Sequence, residues 1–113
     1  MTVLIYTLGD REQGLGHVKR CVTLARELVQ RGVAVVFATQ AETPAQAVIE
    51  QAGFPLVTHP AGGELDWPAA GEQYGNLIVD IKGDPSEHLM DAARPAFASV
   101  VVISAAGYAP QGV

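Results

Sequence analysis

A disulfide framework is out of reach for this chain. Its single cysteine, Cys21, has no partner within the chain, and a zinc site built on thiolates would need several. That usage fits a reducing, cytoplasmic setting. Cations are scarce as well: 7 Lys and Arg stand against 12 Asp and Glu, for a formal net charge of -5. A general nucleic-acid binder needs a basic stripe to neutralise phosphates, so that class is excluded as a partner. No run of like charges marks a polybasic or acidic tail. Long hydrophobic runs are missing too. The opening Met1-Thr2-Val3-Leu4-Ile5-Tyr6 is too short for a signal peptide and lacks a positive leader. Nothing approaches the length of a membrane span. There is no internal repeat and no low-complexity tract.

What is present is a core-forming composition. Apolar residues make up 49% of the 113 and charged residues 17%, enough for one folded domain and too few residues for two. Strand-like and helix-like segments alternate, the mark of a parallel sheet covered by helices. Val3 to Thr7 reads as a buried strand, followed by a polar, glycine-containing loop to Gly16. From His17 to Arg31 the apolar residues Val18, Cys21, Val22, Ala25, Leu28 and Val29 recur at three- and four-residue steps, one stripe on a helix. Gly32 is placed to cap it. Val33 to Ala38 is a second strand. Thr43-Pro44 opens a second helix carrying Ala47, Val48 and Ala52 inward, with Gly53 at its end. Phe54 to Thr58 is a third strand. Residues 60–75 are rich in glycine and proline and read as a loop with a short helix around Trp67 to Gln73. Asn76 to Ile81 is a fourth strand. Asp84-Pro85-Ser86-Glu87 resembles a capping box with Asp84 at the N-cap, opening a helix that runs to about Arg94. Ser99 to Ile103 is a fifth strand. Residues 1–103 are thus expected to form a Rossmann-like domain, and 104–113 a linker or tail.

Right-handed crossovers favour the strand order 3-2-1-4-5 in a doubly wound sheet. The winding then reverses between strands one and four, and ligands bind outside the carboxyl ends of strands at such a switch point. Two segments therefore stand out. The first is Gly14-Leu15-Gly16-His17. Glycines let backbone approach a ligand, helix amides and dipole favour an anion there, and an imidazole can serve as a general base. On spacing alone, a structural turn with a surface histidine accounts for it equally well. A third glycine is missing, so it is no dinucleotide fingerprint. The second is Asp80, at the end of strand four, placed to orient His17, to bind a sugar hydroxyl, or to cap a turn. Lys82 and Asp84 follow, and capping is the simpler role for Asp84. Lys19 and Arg20 lie in the first helical turn, where the dipole disfavours cations; an anionic ligand nearby or plain solvation explains them. Asp10 and Arg11 read as solvated loop charges. His59 and His88 read as surface residues with no metal-ligand spacing. Cys21 reads as a core residue. Trp67 and Tyr74 either stack on a sugar or pack beneath their loop.

The run Gly14-Leu15-Gly16-His17-Val18-Lys19-Arg20-Cys21, then Leu24-Ala25-Arg26-Glu27-Leu28 and Arg31-Gly32, resembles the opening of glycosyltransferases and sugar-nucleotide hydrolases of GT-B architecture. It is most similar to the group holding spore-coat polysaccharide proteins and the hydrolase that removes UDP from a diacetamido trideoxy sugar in pseudaminic acid synthesis. The resemblance is specific over positions 14 to 32 and loose after about position 60. It implies that His17 is the general base, that Gly14, Leu15, Gly16 and Arg20 lie against substrate, and that Asp80 is the aspartate ending the fourth strand. It implies a UDP-sugar or other NDP-sugar and an acceptor as partners, no cofactor and no metal. It also implies a second GT-B domain or partner chain; an apolar edge left exposed without that domain would favour homodimerisation. Departures are Lys82, where some members carry an aromatic, and Ser104-Ala105, where many carry an acidic pair. The alternative reading is a binding or regulatory module of the same fold without catalysis. A flavodoxin-like or receiver-like domain fits less well, because no acidic cluster follows strand one.

Overall fold

Apolar segments separated by amphipathic ones assemble here into one parallel sheet with helices on both faces. The computed structural model describes residues 1–9, 15–82 and 85–103. The elements are β1 (Thr2–Thr7), α1 (Gly16–Gln30), β2 (Ala34–Gln40), α2 (Pro44–Ala52), β3 (Leu56–His59), α3 (Trp67–Tyr74), β4 (Gly75–Asp80), α4 (Glu87–Ala93) and β5 (Ser99–Ile103). All neighbouring strands are parallel, in the order β3-β2-β1-β4-β5. This is the doubly wound sheet expected from the alternation of segments.

The period-2 alternation of strands sorts side chains into two cores. Val3 and Ile5 of β1 join Val35 and Phe37 of β2 beneath α1 and α2, where Val18, Cys21, Val22, Ala25, Ala45 and Ile49 meet them. Leu4 and Tyr6 face the other way and join Ala38, Leu77, Val79 and Val102 under α3 and α4, with Trp67, Met90, Ala93 and Phe97. β1 lies in the middle and is buried on both faces from Val3 onward, as a central parallel strand must be.

Helix α1 buries the stripe Val18, Cys21, Val22 and Ala25. Its end follows from one glycine. Gly32 takes φ 84°, its N–H reaches Val29 O at 3.0 Å, and Val33 N–H reaches Leu28 O at 3.0 Å, the paired bonds of a Schellman cap. Val29, the last apolar residue of the sequence stripe, turns outward and is half exposed.

The second helix rotates against expectation. Ala45 and Ile49 are its buried residues, whereas Ala47 faces solvent and Val48 and Ala52 are only partly covered. Ile49 is the largest apolar side chain available, and one 100° step brings it inward. Helix α4 starts later than the capping-box pattern suggests. Ser86 is its N-cap and accepts from Leu89 N–H at 3.1 Å, and Asp84 lies outside the described residues. Gly71 of α3 packs face to face with the Ala96 carbonyl, where a Cβ would collide. That contact explains why a glycine sits inside a helix.

Candidate functional site

Strand ends and one helical turn build the site. In the β1–β4 ladder Thr7 is paired with Asp80, so the two strands end side by side at the point where the winding reverses. Alternation puts both side chains on the α1 face. Thr39 of β2 follows Ala38, the partner of Tyr6, and joins the same row. All three are fully buried. The hydroxyls of Thr7 and Thr39 find no hydrogen-bond partner among the described residues.

Asp80 is surrounded by donors from the first turns of α1. His17 Nδ1 lies 2.7 Å from Oδ1. Arg20 spans both oxygens, with Nε 2.9 Å from Oδ2 and Nη2 2.6 Å from Oδ1. The Cys21 thiol donates to Oδ2 at 3.3 Å. Positions 17, 20 and 21 are spaced i, i+3 and i+4, so one helix face presents all three donors. Burial alone would push the Asp80 carboxyl up. Hydrogen bonds from Arg20, His17 and Cys21 and the Arg20 charge overcome this and hold it below the usual carboxylate range. The hydrogen bonds to Asp80 in turn push Arg20 above its ordinary value, and burial pushes the Cys21 thiol well up, so it stays a neutral donor.

This chemistry fixes the imidazole. An ionised carboxylate only accepts, so Nδ1 must carry the proton that is shared with Oδ1. The 3.2 Å approach of Arg20 Nη2 to the same Nδ1 then sets two donors side by side on Oδ1 and is not a bond between them. In the neutral ring Nε2 keeps a lone pair, and that atom has no partner among the described residues. The His17 side chain is 15% exposed, so it is largely covered but not sealed from solvent.

Asp80 also answers why cations occupy the start of α1. The first turn holds no acidic residue, and Leu15 gives no side-chain cap. The negative charge that the helix N-terminus favours arrives from β4. Arg20 is half exposed beyond its contact with Asp80, and Lys19 is exposed. Gly16 needs no explanation from packing. Its φ is not in the left-handed region, and a Cβ there would meet nothing within 4 Å. Of the sequence candidates, Leu15, Gly16, His17, Arg20 and Asp80 thus gather at one end of the sheet. Gly14, Asp10, Arg11 and Asp84 lie outside the described residues.

One expectation changes, and for Trp67 the packing alternative holds. His59 is not a surface residue: it is 6% exposed, with Nε2 2.9 Å from the Tyr6 hydroxyl and Nδ1 2.9 Å from Pro60 O. The carbonyl only accepts, so Nδ1 donates to it and Tyr6 donates to Nε2. Burial and the Glu64 charge push the Tyr6 phenol up to about 12, so it keeps that proton. Trp67 packs beneath the segment before it, edge-on to Tyr6 at 5.4 Å, and is buried away from any sugar. His88 is exposed, as expected, and pairs with Glu64 at 2.8 Å. The fork of Arg20 on Asp80 and the Cys21 donor were not foreseen. Their signal was the i, i+3, i+4 spacing from His17. Among the described residues no three His, Cys, Asp or Glu are grouped to hold a metal ion, and no helix is long and apolar enough to cross a membrane.

No protein-family model and no curated protein sequence matches the chain. Among solved structures it is similar to MurG of Acinetobacter baumannii, with a TM-score of 0.69 at 14% identity over 91% of this chain. The chain spans about a third of that structure, 34% of its length. At this identity the likeness shows the fold alone: a Rossmann-like α/β sheet of the kind that forms half of a GT-B architecture.

Proposed function

We propose that this chain is the acceptor-side half of a glycosyltransferase or nucleotide-sugar hydrolase of the spore-coat and pseudaminic-acid type, acting at the anomeric carbon of an NDP-sugar. The observation that carries the reading is the 2.7 Å contact of His17 with a buried, ionised Asp80 at the switch point. The contact orients the ring through Nδ1, and in this reading Nε2 faces the bound substrate. There it takes a proton from water or an acceptor hydroxyl as the oxygen attacks the anomeric carbon and the nucleoside diphosphate departs with the bonding pair. Asp80 stabilises the imidazolium that forms, as a carboxylate does in a hydrolase triad.

In this reading Leu15 and Gly16, at the start of α1, border the approach to the helix amides, and the bare Cα of Gly16 leaves room for a diphosphate or sugar. The outer edge of Arg20 adds positive charge. A second domain or partner chain supplies the nucleotide side. The MurG likeness supports the architecture and not the substrate. The cytoplasm, where nucleotide sugars are held, is the compartment this reading requires.

The test is release of nucleoside diphosphate by the chain together with the domain or partner that completes it. His17→Ala is expected to lower turnover by about 10²- to 10⁴-fold, the range for a lost general base. Full activity in that variant would defeat the catalytic assignment of His17, whereas no release by the completed wild type would favour a binding module of the same fold.

A further inference from the structure

A carboxylate beside an imidazole ordinarily stabilises the doubly protonated ring. An imidazolium has no lone pair and is useless as a base. The site described above therefore carries a difficulty: Asp80 is ionised and in contact with His17. Its solution lies one helical turn further on.

We propose that Arg20 is a positioning residue whose fixed charge, held on both oxygens of Asp80, keeps His17 in the neutral form that a base requires. The proposal rests on His17 being the base. Arg20 Nε and Nη2 occupy one site on each oxygen, at 2.9 and 2.6 Å. The guanidinium is permanently charged and its planar fork matches a carboxylate. Asp80 and Arg20 together are thus neutral before the imidazole is counted. Arg20 Nη2 also stands 3.2 Å from His17 Nδ1, so an imidazolium would face a cation at contact distance. Asp80 still holds the ring by its short hydrogen bond, but its attraction for a second ring proton is opposed.

Among the described residues few other charges enter this balance. From α1 the Cys21 thiol touches Asp80 Oδ2 and stays protonated, while Lys19 is exposed on the same helix. From β4 the only carboxylate is Asp80, and Lys82 just beyond it is exposed. From β1 comes the uncharged Thr7, beside Asp80 in the ladder. Among the described residues no other charged side chain pairs with His17 or Asp80.

The test is an NMR titration of the 113-residue chain with labelled histidine, following the His17 ring nitrogens. In Arg20→Gln the midpoint of His17 protonation is expected to rise by about one pH unit, tenfold in proton affinity. Arg20→Lys keeps a charge but not the fork, and is expected to fall between Gln and wild type. Asp80→Asn is expected to move the midpoint the opposite way and to release the Nδ1–H tautomer. Should Arg20→Gln fail to fold, Arg20→Met, which keeps the aliphatic stem, is read in the same way. A midpoint that stays put or falls in the uncharged variants, while Asp80→Asn lowers it, would overturn the proposal. A merely structural role for Arg20 gives no reason for a rise. Turnover separates the two readings. If His17→Ala keeps full turnover, the function proposed above fails, whatever the titration shows. If His17→Ala is inactive and the uncharged variants show no rise, the function stands and the role of Arg20 fails.

Discussion

His17 and His59 both stand at the carboxyl edge of the sheet, and each bonds to a side chain on a central strand at 2.7 and 2.9 Å. They differ in the second nitrogen. His59 gives Nδ1 to Pro60 O at 2.9 Å and receives the Tyr6 proton on Nε2, so both ring atoms are closed and the ring is 6% exposed. His17 has one nitrogen closed and the other without a partner among the described residues. A histidine with both nitrogens satisfied stabilises a fold. One with a single anchored nitrogen is oriented and still able to react.

The sharpest way to break this contrast is to truncate each ring. His17→Ala is expected to remove turnover of the completed enzyme by about 10²- to 10⁴-fold, and to destabilise the chain by only about 1–2 kcal/mol, since Arg20 and Cys21 still satisfy Asp80. His59→Ala is expected to do the reverse. It opens a cavity and strands the Tyr6 hydroxyl, at about 2–4 kcal/mol by denaturant unfolding, with residual activity tracking the folded fraction. Equal stability losses in the two variants would erase the distinction.

Acid tests the Asp80 anchor of His17 directly. The Asp80 carboxyl is held below the usual carboxylate range in the folded chain, whereas in the unfolded chain it returns to about 3.9. A group with a depressed folded value contributes stability that is present above its unfolded value and is lost as pH falls through the folded one. Stability is therefore expected to drop below about pH 4 more steeply in wild type than in Asp80→Asn. Parallel curves for the two proteins, measured by urea unfolding at each pH, would show that Asp80 is not the group responsible.

The fold was legible because parallel strands are covered on both faces and read as unbroken apolar runs. Leu77, Ile78 and Val79 could only be such a strand, and the α1 stripe and Gly32 marked a helix and its stop. Boundaries slipped where the ladder carried polar residues along. Thr39 and Gln40 extend β2 because they pair with Thr58 and His59 of β3. The two ends of the site, His17 and Asp80, were legible as switch-point residues. The bonds among them were not. Arg20 meets Asp80 across 60 positions and His59 meets Tyr6 across 53, and only the register of the sheet brings such residues together. A histidine flanked by Thr58 and Pro60 carries no local sign of a phenol waiting on the middle strand.

Gly16 offers a smaller and more selective test of the same region. Its backbone is helical, and a Cβ would meet nothing within 4 Å. Alanine suits a helix better than glycine by about 0.5–1 kcal/mol. Gly16→Ala is therefore expected to leave the chain equally stable or slightly more stable, while raising KM for the nucleotide sugar severalfold because the methyl occupies the ligand's approach. A destabilised variant would mean that the glycine serves the fold. A stable variant with unchanged KM would mean that the ligand does not pass there.

The smallest expected effect belongs to a third histidine–carboxylate contact, and it asks whether distance or burial gives the first one its weight. His88 and Glu64 lie 2.8 Å apart, about as close as His17 and Asp80 at 2.7 Å. Yet the His88 and Glu64 side chains are 75% and 52% exposed, whereas Asp80 is fully buried. Water competes for both exposed partners, salt screens them, and ordering two mobile side chains offsets what attraction remains. His88→Ala is expected to change stability by less than about 0.5 kcal/mol and to leave turnover untouched. A loss above about 1 kcal/mol, persisting in 0.5 M salt, would show that the short contact carries weight without burial. The special standing of the buried Asp80 pair would then need another cause.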